Sequence, residues 1–163
     1  MMPHAYPTAE DFVAALAHPL DSDLGRKVVV PFGITWSDAI KLDRDLPLYY
    51  DIGVAEAVGL SLSYTDIGEV VQLENHQAGS GPFVMSSCAF WGHAKGCATY
   101  AGPLWKDLRF SDTPADAIAK LGAPSSIGRY DIHRWILPNF ELTIHWNAPT
   151  QIRVVSYWLK QVG

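Results

Sequence analysis

The strongest constraint on the fold of this 163-residue chain is a nine-residue motif that occurs twice. Residues 32–40 and 110–118 both follow the pattern F-x-x-T-x-x-D-A-I. A threonine followed three residues later by an acid indicates a helix start, because the hydroxyl accepts from first-turn amides and the carboxylate bonds back to the cap. Each copy therefore predicts a short helix, the second over residues 114–121. Two turns are unstable alone, so we expect Ile118 and Leu121 to hold this helix by packing.

Further matches follow each motif in the same order. Residues 50–52 and 130–132 both read Y-D-I, and the alternating apolar positions of residues 60–64 match those of residues 142–146. The offset between the copies drifts only from 78 to 82 residues. Alternation with a period of two is typical of an antiparallel strand with one wet face. The alternative, that two short units share caps and alternation by chance, stays open.

Each copy predicts one helix followed by three strands. In the first copy, a turn at residues 66–68 leads into a strand over residues 69–74; in the second, a turn at residues 147–150 leads into residues 151–159. We therefore expect an α+β fold in which two helix-plus-antiparallel-hairpin repeats form one curved sheet, with helices on one face and an open, polar opposite face. The predicted parts of a single domain over 1–163 are an N-terminal helix (8–18, capped by Thr8), repeat one (32–74), a connector hairpin (76–105, with strands at 83–91 and 97–100) and repeat two (108–159).

Composition places the chain among folded proteins and excludes several classes. Hydrophobic residues make up 48% and charged residues 18%, which is too apolar for a disordered chain. The most apolar runs, such as residues 27–34, are predicted to be strands and are too short to span a membrane. The N-terminus lacks a secretory pattern, and two cysteines make no disulfide scaffold, so we expect a cytoplasmic protein that does not bind membranes.

The charges are distributed unevenly along the chain. The total is −5, which argues against non-specific binding of nucleic acid. Residues 1–75 contain twelve acids and four bases, a balance of −8, whereas residues 76–163 contain five acids and eight bases, a balance of +3. This polarity indicates either a solvated acidic surface or attraction to a basic partner.

Few residues suggest chemistry. Zinc is bound by thiolates and imidazoles, so a set comprising His76, Cys88, His93 and Cys97 is an alternative zinc or small-ligand site, although its spacing matches no common zinc motif. No pattern supports a Cys/His nucleophile, and Ser80 lacks the G-x-S-x-G elbow. We therefore expect no enzyme activity and no cofactor. Most tryptophans are predicted to be core residues: Trp91, Trp105, Trp135, Trp146 and Trp158.

A family resemblance rests on residues 100–113, the L-G-x-P sequence of residues 121–124, Trp135 and the hairpin 140–158. These residues resemble the C-terminal module of bacterial immunity proteins, the cognate inhibitors of polymorphic or type VI secretion toxins. The unit also resembles the tandem repeat of the β-lactamase inhibitory protein and of small outer-membrane assembly lipoproteins. The chain lacks the lipoproteins' signal peptide and lipidated cysteine and the inhibitor's disulfides. The resemblance therefore implies an intracellular antitoxin that binds a toxin with a basic surface.

The inhibitor resemblance also implies where the partner binds, namely the open sheet face and its rim. The residues expected there are Ser61, Ser63, Thr65, Glu141, Thr143 and His145, with Asp66 and Glu69 at the turn. Three further acids are candidates that are equally consistent with plain surface: Asp43, Asp45 and Glu56. A homo-oligomeric structural module that pairs through its sheet edges is a further alternative.

Overall fold

The computed structural model describes residues 6–34, 49–53, 57–77, 81–148 and 151–160. Within these ranges, the helices are α1 (Ala9–Ala15), α2 (Asp23–Val29), α3 (Ile67–Val70) and α4 (Pro114–Leu121). The strands are β1 (Tyr49–Gly53), β2 (Leu60–Asp66), β3 (Phe83–Trp91), β4 (Ser126–Ile127), β5 (Ile132–Ile136), β6 (Phe140–Ala148) and β7 (Gln151–Leu159). Short 3-10 turns cover Val30–Phe32, Trp105–Asp107 and Arg129–Asp131. No helix of the described ranges is long and apolar enough to cross a membrane.

All seven strands form one antiparallel sheet with the order β1-β2-β3-β7-β6-β5-β4. The sheet therefore consists of two meanders, β1 to β3 and β4 to β7, which meet where β3 pairs with β7. The predicted α+β class and the antiparallel sheet are confirmed.

One face of the sheet, the core face, carries the apolar side chains that alternate with polar ones along the strands. Leu60 and Leu62 of β2 lie beside Phe90 and Cys88 of β3, and all four are buried. Helix α1 covers this face, because the rings of Phe12 and Phe90 meet edge to face with centroids 4.9 Å apart.

The C-terminal end of α4 also reaches the core face. Trp135 of β5 donates its indole N–H to the carbonyl of Gly122, which follows α4, over 3.0 Å. The core face is therefore where the helical layer packs.

Local capping determines where two of the helices begin. Thr8 and Thr113 each accept from the backbone N–H three residues later, and Asp11 and Asp116 bond back to the caps. The predicted bounds of α4 are confirmed. The packing expected for Ile118 is wrong: its side chain is 41% exposed, and Ala117 is the buried residue of this helix. The helix predicted from the first motif lies outside the described residues, since residues 35–48 are not described.

Two predicted strands are helical instead. Residues 27–34 lie in α2 and the 3-10 turn that follows it, because Ser22 caps α2 by accepting from the backbone N–H of Gly25 over 3.0 Å. Residues 69–74 form the end of α3 and turns, because the Asp66 carboxylate accepts from the N–H of Gly68 and starts a helix at that point.

The predicted connector hairpin is also wrong. Its first strand, β3, is a central strand that pairs with both β2 and β7. Residues 97–100 form no strand, and Tyr100 donates a single backbone hydrogen bond to the carbonyl of Trp91, 2.9 Å long. The third strand after the first motif is therefore β3 rather than residues 69–74.

Candidate functional site: the open sheet face

The second face of the sheet, the open face, carries the side chains that alternate with the core residues. No helix within the described residues packs on it. Its central residues come from four strands: Ser61, Ser63 and Thr65 of β2, Ala89 and Trp91 of β3, Ser156 and Trp158 of β7, and Glu141, Thr143 and His145 of β6. The structure thus brings six of the predicted contact residues onto one face, three on each side of the β3–β7 pair.

The centre of the open face is a shallow floor of small side chains. β3 and β7 pair over five positions, and the middle pair is Ala89 opposite Ser156. The flanking pairs on this face place Ser87 opposite Trp158 and Trp91 opposite Val154. Each end of the floor therefore carries one indole ring.

Both indole rings are fixed by hydrogen bonds to hydroxyl groups of the neighbouring strands. Trp91 donates from Nε1 to Ser61 Oγ over 3.1 Å, and Trp158 donates from Nε1 to Thr143 Oγ1 over 2.9 Å. Thr143 is buried although it lies on the open face, while Trp158 is 44% exposed. The prediction that tryptophans are core residues therefore holds for Trp135 and Trp146 and is wrong for Trp91 and Trp158, which lie on the open face.

The two halves of the floor share a second feature, the position of the strand irregularities. The register of β2 against β3 shifts between Ser63 and Tyr64, and the register of β6 against β7 shifts between His145 and Trp146. A bulge re-aims the side chains beyond it. Each half therefore bends at a matching place relative to its indole.

The charges of the open face are mixed. Glu141 faces Arg134 of β5 with 3.9 Å between Oε2 and Nη1. The guanidinium carbon of Arg153 lies 6.0 Å from the ring centre of Trp91. The acidic balance of the first 75 residues is therefore not reproduced by the described side chains on this face.

Asp66 does not lie on an exposed rim, so its expected placement is wrong. Its side chain is 0% exposed, because β2 turns it to the core face in phase with Leu60, Leu62 and Tyr64. Glu69 lies on α3, but its side chain is outside the described part of the structure, as are Asp43, Asp45 and Glu56.

The buried Asp66 carboxylate joins three separate parts of the chain. Oδ1 accepts from the N–H of Gly68 over 2.9 Å and lies 2.7 Å from Nε2 of His76, and Oδ2 accepts from the N–H of Gly81 over 3.1 Å. Burial alone raises the pKa of Asp66, but the bonds from His76, Gly81 and Gly68 outweigh it and lower the pKa below its ordinary value. As a carboxylate, Asp66 thus ties Gly68, His76 and Gly81 to the sheet.

The four residues of the alternative zinc or small-ligand site do not converge. Cys88 is buried in the core face beside Tyr157, and burial raises the pKa of its thiol, which keeps it protonated. His76 is engaged with Asp66, and His93 and Cys97 lie in the loop after β3. The described residues contain no group of three or more His, Cys, Asp or Glu side chains able to hold a metal ion.

Two surface hollows lie away from the open face. One, of about 530 Å³, contains Asp112, whose Oδ2 accepts from Lys120 Nζ over 2.8 Å and from the N–H of Arg109 over 2.9 Å. The carboxylate of Asp112 and the ammonium of Lys120 therefore satisfy each other in this hollow. The other, of about 410 Å³, is mainly apolar and includes Phe32 and Val58.

No protein-family model, curated protein or solved structure matches this chain. The resemblance to immunity proteins and to the β-lactamase inhibitory protein therefore stays a prediction.

The open-face residues absent from the sequence prediction are those of the two central strands. Ala89 and Trp91 alternate with the core residues Cys88 and Phe90 of β3. Ser156 and Trp158 alternate in the same way with the apolar core of β7. This period-two signal is present in the sequence, and it identifies the face once β3 is placed in the sheet.

Proposed function

We propose that this chain is a non-catalytic protein-binding module that docks a partner protein on its open face. The observation that carries the proposal is the pair of fixed indole rings at the two ends of a floor of small side chains. Trp158 is 44% exposed on a face that no described helix covers. Partly exposed tryptophans held in one orientation supply large contact area at low cost in conformational entropy.

The surrounding residues suit a protein partner better than a buried small molecule. The hydroxyls of Ser63 and Thr65 and the side chains of Glu141 and His145 are half-buried around the floor. Aromatic residues with polar side chains around them are common in protein interfaces. Among the described residues, neither of the two free cysteines contributes to this face.

The specific form that we propose is an antitoxin, an immunity protein that inhibits a cognate bacterial toxin by occupying this face. The support is the sequence resemblance together with the two fixed tryptophans of the open face. The −8 balance of residues 1–75 would speed encounter with a basic toxin, since complementary charge raises association rates.

We also propose that the two meanders are copies of one unit, β1 to β3 and β5 to β7. The matched bulges and the two tryptophan–hydroxyl bonds support this arrangement. With Leu62 matched to Ile144, the alignment also matches Ser61 to Thr143, the two residues that accept from the indoles. The duplication would place two similar half-sites on one docking surface.

The test compares one substitution at two places. Ala89→Arg places a long cation at the centre of the open face, and Ala119→Arg places it on the exposed surface of α4. The product of the neighbouring gene is purified and titrated against each variant by calorimetry, and toxicity is measured when the two are co-expressed. We expect Ala89→Arg to weaken binding of the neighbouring protein by roughly tenfold or more and to abolish protection of the cells from its toxicity. Ala119→Arg should change neither the affinity nor the protection.

A second open-face variant, Ser63→Arg, guards against loss of folding in the first, and thermal unfolding of each variant is recorded. Failure of the neighbouring protein to bind, or equal binding by all three variants, would refute the proposal. A stable dimer on a sizing column that Ala89→Arg leaves intact, with no other partner, would instead favour the homo-oligomeric module.

A further inference from the structure

The two indole rings of the open face differ in one respect, the presence of a cation. Trp91 has the guanidinium of Arg153 at 6.0 Å from its ring centre. Trp158 is held in the same manner by its own hydroxyl partner, but no cationic side chain of the described residues lies over its ring. Trp91 thus has an arginine side chain of the same chain near its ring, and Trp158 has no such neighbour among the described residues.

A carboxylate lies beside the ring that lacks a cation. Glu141 of β6 is directly opposite Trp158 of β7 in the sheet register, so their side chains emerge side by side on the open face. The only ion pair recorded for Glu141 within the described residues is the long contact with Arg134, whose own side chain is half exposed. Exposed pairs at that distance are weak, so Glu141 keeps most of its capacity to bind a second cation.

We propose that Trp158 and Glu141 form a binding site for an arginine side chain supplied by the partner protein. The guanidinium would stack on the exposed indole face, and its N–H groups would donate to the Glu141 carboxylate. Stacking and bidentate hydrogen bonding together favour arginine over lysine. The inference deepens the proposed function, because it names the chemistry that the partner presents to the same face.

The position of the site explains how the partner would be aligned. The Thr143 hydroxyl fixes the indole from below, and Thr143 is itself buried. The ring therefore needs no reordering when a cation arrives, which lowers the entropic cost of binding. An arginine at this end of the floor would orient the partner's main chain along the small residues toward Trp91.

The experiment uses the full chain and a chemically defined probe. A capped hexa-arginine peptide is titrated at physiological salt while the indole N–H resonances are followed by ¹H–¹⁵N NMR, with a hexa-citrulline peptide as the neutral control. We expect the Trp158 resonance to shift in a saturable manner and the Trp91 resonance to move less. Trp158→Leu should weaken binding roughly fivefold or more, and Glu141→Gln roughly two- to fivefold.

Glu10→Gln is the matched charge control, because it removes one negative charge from the exposed side of α1. It should leave the affinity at its original value. The proposal is overturned if Trp158 fails to shift, if citrulline shifts it equally, or if Glu10→Gln weakens binding as much as Glu141→Gln.

The outcomes separate this inference from the proposed function. If a partner protein binds the wild type but not Ala89→Arg, and the arginine peptide does not bind at Trp158, the arginine site is refuted and the proposed function stands. If the arginine peptide binds at Trp158 but no partner protein binds the open face, the arginine site is supported and the inhibitor proposal is refuted.

Discussion

The two meanders of the sheet differ in the length of the connection before their last strand. In the first meander, residues 67–82 connect β2 to β3. In the second, β6 ends at Ala148 and β7 begins at Gln151, and these two residues form the last pair of the ladder. The long connection carries α3 and is tied down by Asp66; the position that matches Asp66 in the second meander, at the offset of 82, is Ala148.

Some features are shared by the two meanders, and one is confined to the first. The core alternation, the bulge and the tryptophan–hydroxyl bond occur in both halves, because each follows from the sheet register. Of the two connections, the long one is the one that begins at a buried carboxylate, Asp66, which bonds back to Gly68 and Gly81. Asp66 thus belongs to the connection rather than to the open face.

The largest expected effect comes from the two aromatic residues where the meanders meet. Phe90 and Tyr157 are both fully buried, and their ring centres lie 4.8 Å apart across the β3–β7 ladder. We expect Phe90→Ala and Tyr157→Ala each to lower the free energy of unfolding by about 3–5 kcal/mol, because each leaves a large cavity in one shared core. Urea denaturation followed by circular dichroism measures both values.

Tyr157→Phe is the control, since it removes only the hydroxyl that accepts from the N–H of Trp105 over 2.8 Å. It should cost about 1 kcal/mol. Two separate unfolding transitions, or a loss confined to one of the two alanine variants, would show that the meanders are independent units rather than halves of one core.

Local signals in the sequence were sufficient for the helix starts and for the strands with clean alternation. The capping box at Thr113 predicts the bounds of α4, and the alternation over residues 60–64 predicts β2. Both signals are complete within a few neighbouring residues. They also place Ser61, Ser63 and Thr65 correctly on the face opposite the core.

Non-local pairing explains the errors. The partner of β3 on one side is β7, some sixty residues later, and nothing within residues 76–105 indicates that contact. The burial of Asp66 could have been predicted from the sequence, because this residue continues the alternation of the core residues of β2. The turn signal that follows it favoured an exposed position instead. The exposure of Trp158 follows from its place in the alternation of β7, whereas its residue type alone favours the core.

The next effect tests the difference between the two connections. Asp66→Asn replaces one carboxylate oxygen by an amide that cannot accept, so at least one buried donor among Gly68, His76 and Gly81 loses its partner. We expect the free energy of unfolding to fall by about 1–3 kcal/mol at neutral pH. Asp112→Asn is the matched control: its bonds use Oδ2 alone, so an amide preserves one acceptor and the cost should be about 1 kcal/mol or less.

Acid should reduce the effect of Asp66→Asn. The folded-state pKa of Asp66 lies below its ordinary value of 3.8, so the carboxylate stabilises the fold fully above that value and loses this contribution as the pH falls through the folded-state pKa. The gap in unfolding free energy between wild type and variant should therefore narrow in urea titrations below about pH 4. A gap that stays constant down to the acid limit would contradict the role of Asp66 as a charged anchor.

The smallest effect compares the two tryptophan–hydroxyl bonds directly. Thr143→Val and Ser61→Ala each remove the acceptor for one indole N–H, from Trp158 and Trp91 respectively. We expect costs of roughly 0.5–1.5 kcal/mol, larger at Thr143 because it is buried whereas Ser61 is half-buried and water can replace its hydroxyl. Denaturation gives the cost, and the indole N–H resonance of each tryptophan reports whether its ring is released. Equal costs with no change at either resonance would mean that packing, rather than these bonds, holds the rings on the open face.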